Sequence, residues 1–292
     1  MRRLPPVLLA LMLLTGCGAW ETEAALSLPK TVPAKPISAP AVVTEGRKPT
    51  KDYDLPTEVV RQLEWGKRMG KPMAKLAELP EQDAAFYAVE EDSSYWALLR
   101  WGGSLAEFDW SFGGPLIVEP RLWCRDVDGD GQEEIVLVNH VGSGTGVSIE
   151  ELHIVEKNLD GTLTDYAFPE ELWQEDLSSL LDTAVTADRT FAVLGEELVD
   201  ITRQLPENLD PEVLRGLGTG SVARFDTDWP DSGGIRFNGS ACLDADGYYY
   251  WYVADISAYV SYVGGVFTLS DFHLNGNEYG VNHHGKRLYD HL

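Results

Sequence analysis

The chain has 292 residues, and its 47 acidic side chains against 23 Lys and Arg give a formal net charge of −24. A surface this acidic repels nucleic acid and anionic lipid headgroups and attracts divalent cations. Without a basic patch, of which the sequence shows none, nucleic acid is excluded as a partner class. The hydrophobic fraction of 44% is enough for a packed core, and the length predicts one or two domains.

The N-terminus has the features of an export signal. Arg2 and Arg3 precede an apolar run at residues 7–14, which has the length of a signal-peptide core and is too short to span a bilayer. The run leads into Leu-Thr-Gly-Cys at residues 14–17, which resembles a bacterial lipobox. That resemblance implies a lipoprotein signal peptide at residues 1–17, a lipid anchor on Cys17 and a location on the extracytoplasmic face of the cell membrane. An ordinary signal peptide with an incidental cysteine is the alternative.

Residues 18–54 predict a proline-rich tether. Five prolines alternate there with Ala, Lys, Thr and Val, a composition that buries little surface and favours extended or disordered backbone. A helix is then expected to open the folded region at Pro56, because Val59, Val60 and Leu63 follow as part of an apolar stripe.

Short β-like runs dominate the rest of the chain. In the first half they lie at residues 85–89, 95–101, 107–112, 116–123, 135–139, 151–156 and 162–168, before a helix at 169–181. In the second half they lie at residues 190–194, 221–227, 235–237, 248–256, 258–263 and 266–269. Gly264 and Gly265 predict a tight hairpin. We therefore expect a β-rich α+β fold of antiparallel sheets or meanders with few helices.

An acidic loop precedes the run at residues 135–139. Carboxylates alternate at Asp126, Asp128 and Asp130, a turn glycine follows, and Gln132 and Glu134 take the seventh and ninth positions counted from Asp126. Ca²⁺ prefers six to eight oxygen ligands, which alternating acids and a backbone carbonyl supply. These residues predict a Ca²⁺-binding loop between strands; an acidic turn that stays without an ion is the alternative.

The loop differs from an EF-hand, since its twelfth position is Leu137 and a strand follows it. It resembles the calcium loops of FG-GAP and VCBS-type repeats. More widely, residues 80–272 are similar to Firmicutes lipoproteins labelled as VCBS repeat-containing. The resemblance implies an FG-GAP-like domain at 55–183 and a β-meander half at 184–292, or one continuous domain. It implies an envelope location and a metal role for the loop, and it supplies no catalytic residue. A single loop argues against a propeller.

Two cysteines remain besides Cys17. Cys124 and Cys242 are far apart in sequence, and either a disulfide linking the two halves or two free thiols is compatible with an exported protein.

Other polar and aromatic runs have weaker implications. Glu150, Glu151 and His153 offer acid–base chemistry, although such residues on a strand more often form a solvated face. The run Tyr248-Tyr-Tyr-Trp-Tyr252 places Tyr248, Tyr250 and Tyr252 on one face of a strand, which predicts a ligand surface or else cross-strand packing.

Together the patterns predict a lipid-anchored, extracytoplasmic envelope protein with a structural Ca²⁺ site. It would be a non-enzymatic module that binds a surface protein or a glycan. The alternative function is a cell-wall or glycan hydrolase that uses acidic residues.

Overall fold

The computed structural model describes residues 31–61, 73–92, 94–112, 118–207, 209, 214–227, 234–245 and 251–276. The predicted signal peptide with Cys17, as well as Tyr248 and Tyr250, lies outside these residues. Among the described residues, no helix is long and apolar enough to cross a membrane.

The described residues contain seventeen strands and one α-helix. The strands are β1 (Ile37–Pro40), β2 (Val42–Glu45), β3 (Met73–Leu79), β4 (Ala84–Glu91), β5 (Ser94–Trp101), β6 (Ser104–Phe108), β7 (Arg121–Arg125), β8 (Glu134–Gly144), β9 (Val147–Lys157), β10 (Leu163–Phe168), β11 (Leu181–Val185), β12 (Thr190–Leu194), β13 (Glu197–Asp200), β14 (Leu214–Thr227), β15 (Ile235–Ala245), β16 (Tyr252–Val263) and β17 (Val266–Gly276). The helix is α1 (Gln174–Leu180), and 3₁₀ turns lie at Pro80–Gln82, Glu170–Leu172 and Thr202–Gln204.

These strands form three open sheets, which confirms the predicted β-rich α+β class. The large sheet has ten strands in the order β1-β17-β16-β15-β14-β9-β10-β2, with β8 beside β9 and β7 beside β8. All its pairings are antiparallel except the short contact between β9 and β14. A second sheet has the order β3-β4-β5-β6, and a third has the order β11-β12-β13.

Strand β8 is buried on both faces, which explains its uninterrupted apolar sequence. Ile135, Val136, Leu137 and Val138 are all at most 1% exposed. Side chains alternate across a strand, so two of them point to each side. Val136 and Val138 enter a large core shared with β14 to β17, and Ile135 and Leu137 enter a small core shared with the four-stranded sheet. Continuous apolar runs are typical of strands covered on both faces.

The large core is closed on one side by α1 and the three-stranded sheet. Trp173, just before α1, is 1% exposed, and its ring lies 4.7 Å from that of Phe237 in an edge-on arrangement. Leu177 is the one fully buried residue of α1, and Leu194 of β12 joins the same core. The expected helix at 169–181 is thus a 3₁₀ turn followed by α1.

The predicted tether at 18–54 is wrong for residues 37–45. Strand β1 pairs with β17 and strand β2 pairs with β10, so this segment links two edges of the large sheet. Ile37 and Ala39 alternate with exposed residues and face the large core. Pro40 is compatible with β1 because β1 is an edge strand, where a missing N–H donor is tolerated. Proline content alone therefore did not separate a tether from an edge strand.

The segment that follows is also part of the folded body. Tyr53 and Leu55 pack against the outer face of the four-stranded sheet, and Tyr53 donates a hydrogen bond to Glu107 at 2.7 Å. No helix lies at residues 56–61, and the rest of the helix expected there falls outside the described residues.

The boundary proposed at residues 183/184 does not divide the sheet. Strand β9 from the first half pairs with β14 from the second, and the large core takes side chains from both. The two predicted halves therefore share one sheet and one core.

The cysteines do not pair. Cys124 is buried in the small core, and Cys242 is half-buried in β15; both are free thiols. Burial raises the pKa of Cys124 to about 12 and that of Cys242 to about 11, so both stay protonated near neutral pH.

Two substitutions in the segment 37–45 test whether this segment belongs to the folded core. We expect Ile37→Ala to lower the free energy of unfolding by roughly 2–5 kcal/mol, because it leaves a cavity at a side chain that is 5% exposed. Val42→Ala on the neighbouring strand should change it by less than about 0.5 kcal/mol, since Val42 is 47% exposed. Urea unfolding measures both; equal, negligible effects would mean that the segment is a tether.

Candidate metal centre

The acidic loop connects two paired strands of the large sheet. Arg125 at the end of β7 is directly opposite Glu134 at the start of β8, so the intervening residues form a tight connection. Gly129 and Gly131 have φ values of +82° and +89°, which L side chains rarely adopt. The glycines of the loop are therefore required by its backbone conformation, while the aspartates supply its carboxylates.

The loop brings three carboxylates together. One oxygen from each of Asp126, Asp128 and Asp130 lies within 4.8 Å of the others. In the part of the chain that the structure describes, this is the one group of at least three acidic, His or Cys side chains that converges in this way. The triad could hold a metal ion.

Backbone N–H groups of the same loop hold the carboxylates in place. Asp126 accepts hydrogen bonds from the N–H of Gly129 at 2.7 Å and of Gly131 at 3.1 Å. Asp128 accepts one from the N–H of Asp130 at 3.0 Å. Short polar side chains commonly bond to the backbone two residues on, which favours turns over strand pairing. The carboxylates are thus oriented by the chain itself.

Two further predicted ligands lie in the loop but outside the triad. The Gln132 side-chain amide donates to Asp130 at 2.9 Å. Glu134 is 3% exposed and accepts the N–H of Val127 at 2.8 Å. Burial raises the pKa of Glu134 to about 7, the Val127 N–H opposes that rise, and the three Asp charges add to it. Glu134 therefore lies close enough to feel the triad while anchoring the base of the loop.

The predicted tyrosine surface is wrong for Tyr252. This residue is 7% exposed, and its hydroxyl donates to the carbonyl of Gly146. Its ring fills the space beside Gly220, where a Cβ atom would lie 2.1 Å from a ring carbon. Tyr252 therefore packs across strands rather than presenting its ring to a ligand.

Glu150, one of the acids considered for acid–base work, is a buried structural group. It accepts hydrogen bonds from Arg121 at 2.7 Å and from the N–H of Phe225 at 2.8 Å. Arg121 also donates to the Phe225 carbonyl at 2.6 Å. Burial raises the pKa of Glu150, and the Arg121 charge opposes that rise. The pair joins β7, β9 and β14 at the rim of the large core.

The opposite face of β9 carries a second buried polar group, in which His153, considered with Glu150 for acid–base work, pairs with Asp165, a partner that the sequence did not reveal. His153 Nδ1 lies 3.1 Å from Asp165 of β10, and the Trp110 indole N–H donates to Asp165 at 2.6 Å. Burial lowers the pKa of His153, but the charges and hydrogen bonds of Asp165 and Glu151 raise it to about 9 overall. The surroundings of His153 thus favour a positive charge. Its partner is 12 positions away in sequence, so only strand pairing reveals the contact.

A shallow polar groove of about 280 Å³ lies on the face of β15 to β17 away from the large core. Arg236 donates to the Tyr259 hydroxyl at 3.2 Å and lies over its ring, and His273 lies 3.2 Å from Glu197. Asp271 and other hydrogen-bonding groups complete its wall.

Comparison with family models, with curated proteins and with solved structures gives no match. The similarity to FG-GAP and VCBS-type lipoproteins therefore stays a prediction.

Proposed function

We propose that this protein is a lipid-anchored, extracytoplasmic envelope protein whose β-rich body is stabilised by one Ca²⁺ ion in the Asp126–Asp130 loop. The convergence of three carboxylates within 4.8 Å between two paired strands supports this proposal most directly. The ion is structural in this account: it joins the end of β7 to the start of β8.

The donor set favours Ca²⁺ over other divalent ions. Every candidate ligand in the loop is an oxygen, and hard oxygen ligands select Ca²⁺ or Mg²⁺ over transition metals. Mg²⁺ requires a tight octahedron and keeps several waters, whereas Ca²⁺ accepts irregular sets of carboxylate and carbonyl groups. The eight-residue connection between β7 and β8, with its two positive-φ glycines, is better suited to an irregular set of ligands than to a tight octahedron.

The ion would relieve a repulsion that the fold creates. Two unit charges 4.8 Å apart repel by about 1 kcal/mol in water, and by more where solvent is partly excluded. Three such pairs surround one point, and the half-buried Asp128 is the least hydrated member. A divalent cation replaces these repulsions with attractions, so its binding stabilises the hairpin.

The proposed location rests on the N-terminal sequence. The order of Arg2 and Arg3, the apolar run and Cys17 is that of a lipoprotein signal. Because Ala34 packs against the large core just before β1, the proposed tether is residues 18–33 instead of 18–54. Fully extended, about 16 residues span roughly 50 Å, enough to hold the body clear of a membrane surface.

We place the binding role, to a surface protein or a glycan, on the polar groove of β15 to β17. Tyr259 offers an aromatic ring, and Arg236, Asp271 and His273 offer donors and acceptors around it. An aromatic ring bordered by hydrogen-bonding groups suits a sugar, which has apolar faces and hydroxyl edges.

Calcium binding is tested by thermal unfolding. At Ca²⁺ one hundred times above Kd we expect about 2.7 kcal/mol of added stability, which corresponds to a rise in Tm of roughly 5–10 °C. Asp128→Ala should abolish the rise, while Asp52→Ala, which removes an exposed acid outside the loop, should retain it. A wild-type Tm that is the same in Ca²⁺ and in chelator would contradict the proposal.

Lipid anchoring is tested independently of calcium. We expect the full-length chain, expressed in a bacterium with its own leader, to incorporate a labelled fatty acid and to sediment with membranes. Cys17→Ser should lose both properties, because no other cysteine follows a lipobox-like sequence, and Cys242→Ser serves as the matched control. Membrane association that persists in Cys17→Ser without label would rule out this anchor.

A further inference from the structure

A histidine and two carboxylates lie together on the face of β9 and β10 that the four-stranded sheet covers. His153 of β9 and Asp165 of β10 are each 1% exposed. Glu151 precedes His153 by two positions, so both side chains project from the same face of β9. Leu137, directly opposite His153 on β8, belongs to the small core. The three polar groups therefore lie at the join between the two sheets.

Each nitrogen of the imidazole ring faces a carboxylate. His153 Nδ1 lies 3.1 Å from Asp165, and His153 Nε2 lies 3.6 Å from Glu151. With a protonated ring the group carries one net negative charge, and with a neutral ring it carries two. Carboxylates that lose their cation where solvent is excluded repel each other and are poorly hydrated. The geometry therefore favours the protonated ring.

Among the described residues, the contacts of the ring with the other two elements are uncharged. The Trp110 ring, from the segment after β6, has its centroid 4.5 Å from that of the imidazole, and Leu137 lies opposite on β8. Burial alone would lower the pKa of His153. The charges and hydrogen bonds of Asp165 and Glu151 outweigh burial and raise this pKa to about 9 overall.

Polar groups of the large sheet also hold the segment that follows β6. The Trp110 indole N–H donates to Asp165 at 2.6 Å. The next residue, Ser111, accepts a hydrogen bond at its carbonyl from Asn139 of β8, also at 2.6 Å. Asp109, the charged residue before them, is exposed and ion-paired at the surface. The carboxylate that the histidine neutralises is thus the one that fixes Trp110.

We propose that His153 is a proton-dependent latch between the two sheets. The protonated ring neutralises Asp165 and pairs with Glu151, so that Trp110 and Ser111 stay fastened to the large sheet. When the ring loses its proton to solvent past Glu151, whose side chain is 23% exposed, two carboxylates share one neutral ring and the join loosens. The latch depends neither on the calcium loop nor on the lipid anchor.

The latch weakens over a pH range that two pKa values set. A histidine in the unfolded chain has a pKa of about 6.5, and that of His153 in the folded chain is about 9. Between these values the folded chain holds the extra proton, so its stability falls as the pH rises. The stabilisation is complete below about pH 6.5 and is lost as the pH rises through about 9.

Urea unfolding at pH 7 and at pH 8.5, with Ca²⁺ held constant, measures the latch. We expect the unfolding equilibrium constant of the wild type to rise about 20-fold more than that of H153Q/D165N, in which a neutral pair replaces the charged one. His273→Gln, which removes an exposed histidine, is the matched control and should keep the full rise. Burial lowers the pKa of His140, so that its own titration falls below this range.

An equal rise in the wild type and in folded H153Q/D165N would overturn the proposal. If this variant fails to fold, NMR titration of the histidine rings in the wild-type chain decides. One ring with a midpoint near pH 9 supports the latch, whereas midpoints below about pH 7.5 for all six histidines contradict it. Amide exchange at pH 7 tests the location: it should be faster at residues 109–112 in H153Q/D165N than in the wild type, and equal protection there would mean that the ring does not hold this segment.

Discussion

The β8–β9 hairpin is buried on both faces, and both hydrophobic cores are built against it. Val136, Val138, Leu152 and Ile154 are at most 1% exposed on one side, and Ile135, Leu137 and Val155 are 0% exposed on the other. Each face needs its own cover. The four-stranded sheet covers one, and β14 to β17 with α1 cover the other. The segment 37–45 links two edges of the large sheet, because β1 pairs with β17 and β2 pairs with β10.

The same constraint accounts for the polar groups that matter most. A charged group on a doubly buried hairpin must be paired, because an uncompensated buried charge is far costlier than a surface one. Glu150 is paired with Arg121 on one face, and His153 is paired with Asp165 on the other. The acidic loop lies at the open end of the hairpin, where solvent hydrates its carboxylates. A cation bound by these carboxylates would act on the strand ends that the two cores hold together.

Sequence reasoning succeeded where the signal is local. The strand-like run predicted at residues 151–156 lies within β9, and the spacing of Asp126, Asp128 and Asp130 located a loop whose carboxylates do converge. Two adjacent glycines marked the turn between β16 and β17. Each of these features depends on neighbouring residues and on a known strand or turn period.

Prediction failed where the outcome depends on distant partners. The proline content of residues 18–54 predicted a tether where β1 lies, because the pairing of β1 with β17 is not visible in the local sequence. The sequence left Tyr252 between a ligand surface and cross-strand packing; it is buried, since Gly220 on another strand provides room for its ring. The contact of His153 with Asp165 needs the β9–β10 register, which no short motif encodes. These are long-range pairings, and a single sequence carries little record of them.

We propose that a cation in the acidic loop stabilises the connection between β7 and β8, at the end of the β8–β9 hairpin that both cores cover. Hydrogen exchange of the chain, measured with Ca²⁺ and with chelator, is the decisive measurement. We expect Ca²⁺ to slow exchange at residues 126–134 and at the paired ends of β7 and β8, while β4 and β5 in the centre of the other sheet change little. Equal exchange of the loop and the β7–β8 ends in both conditions would contradict it.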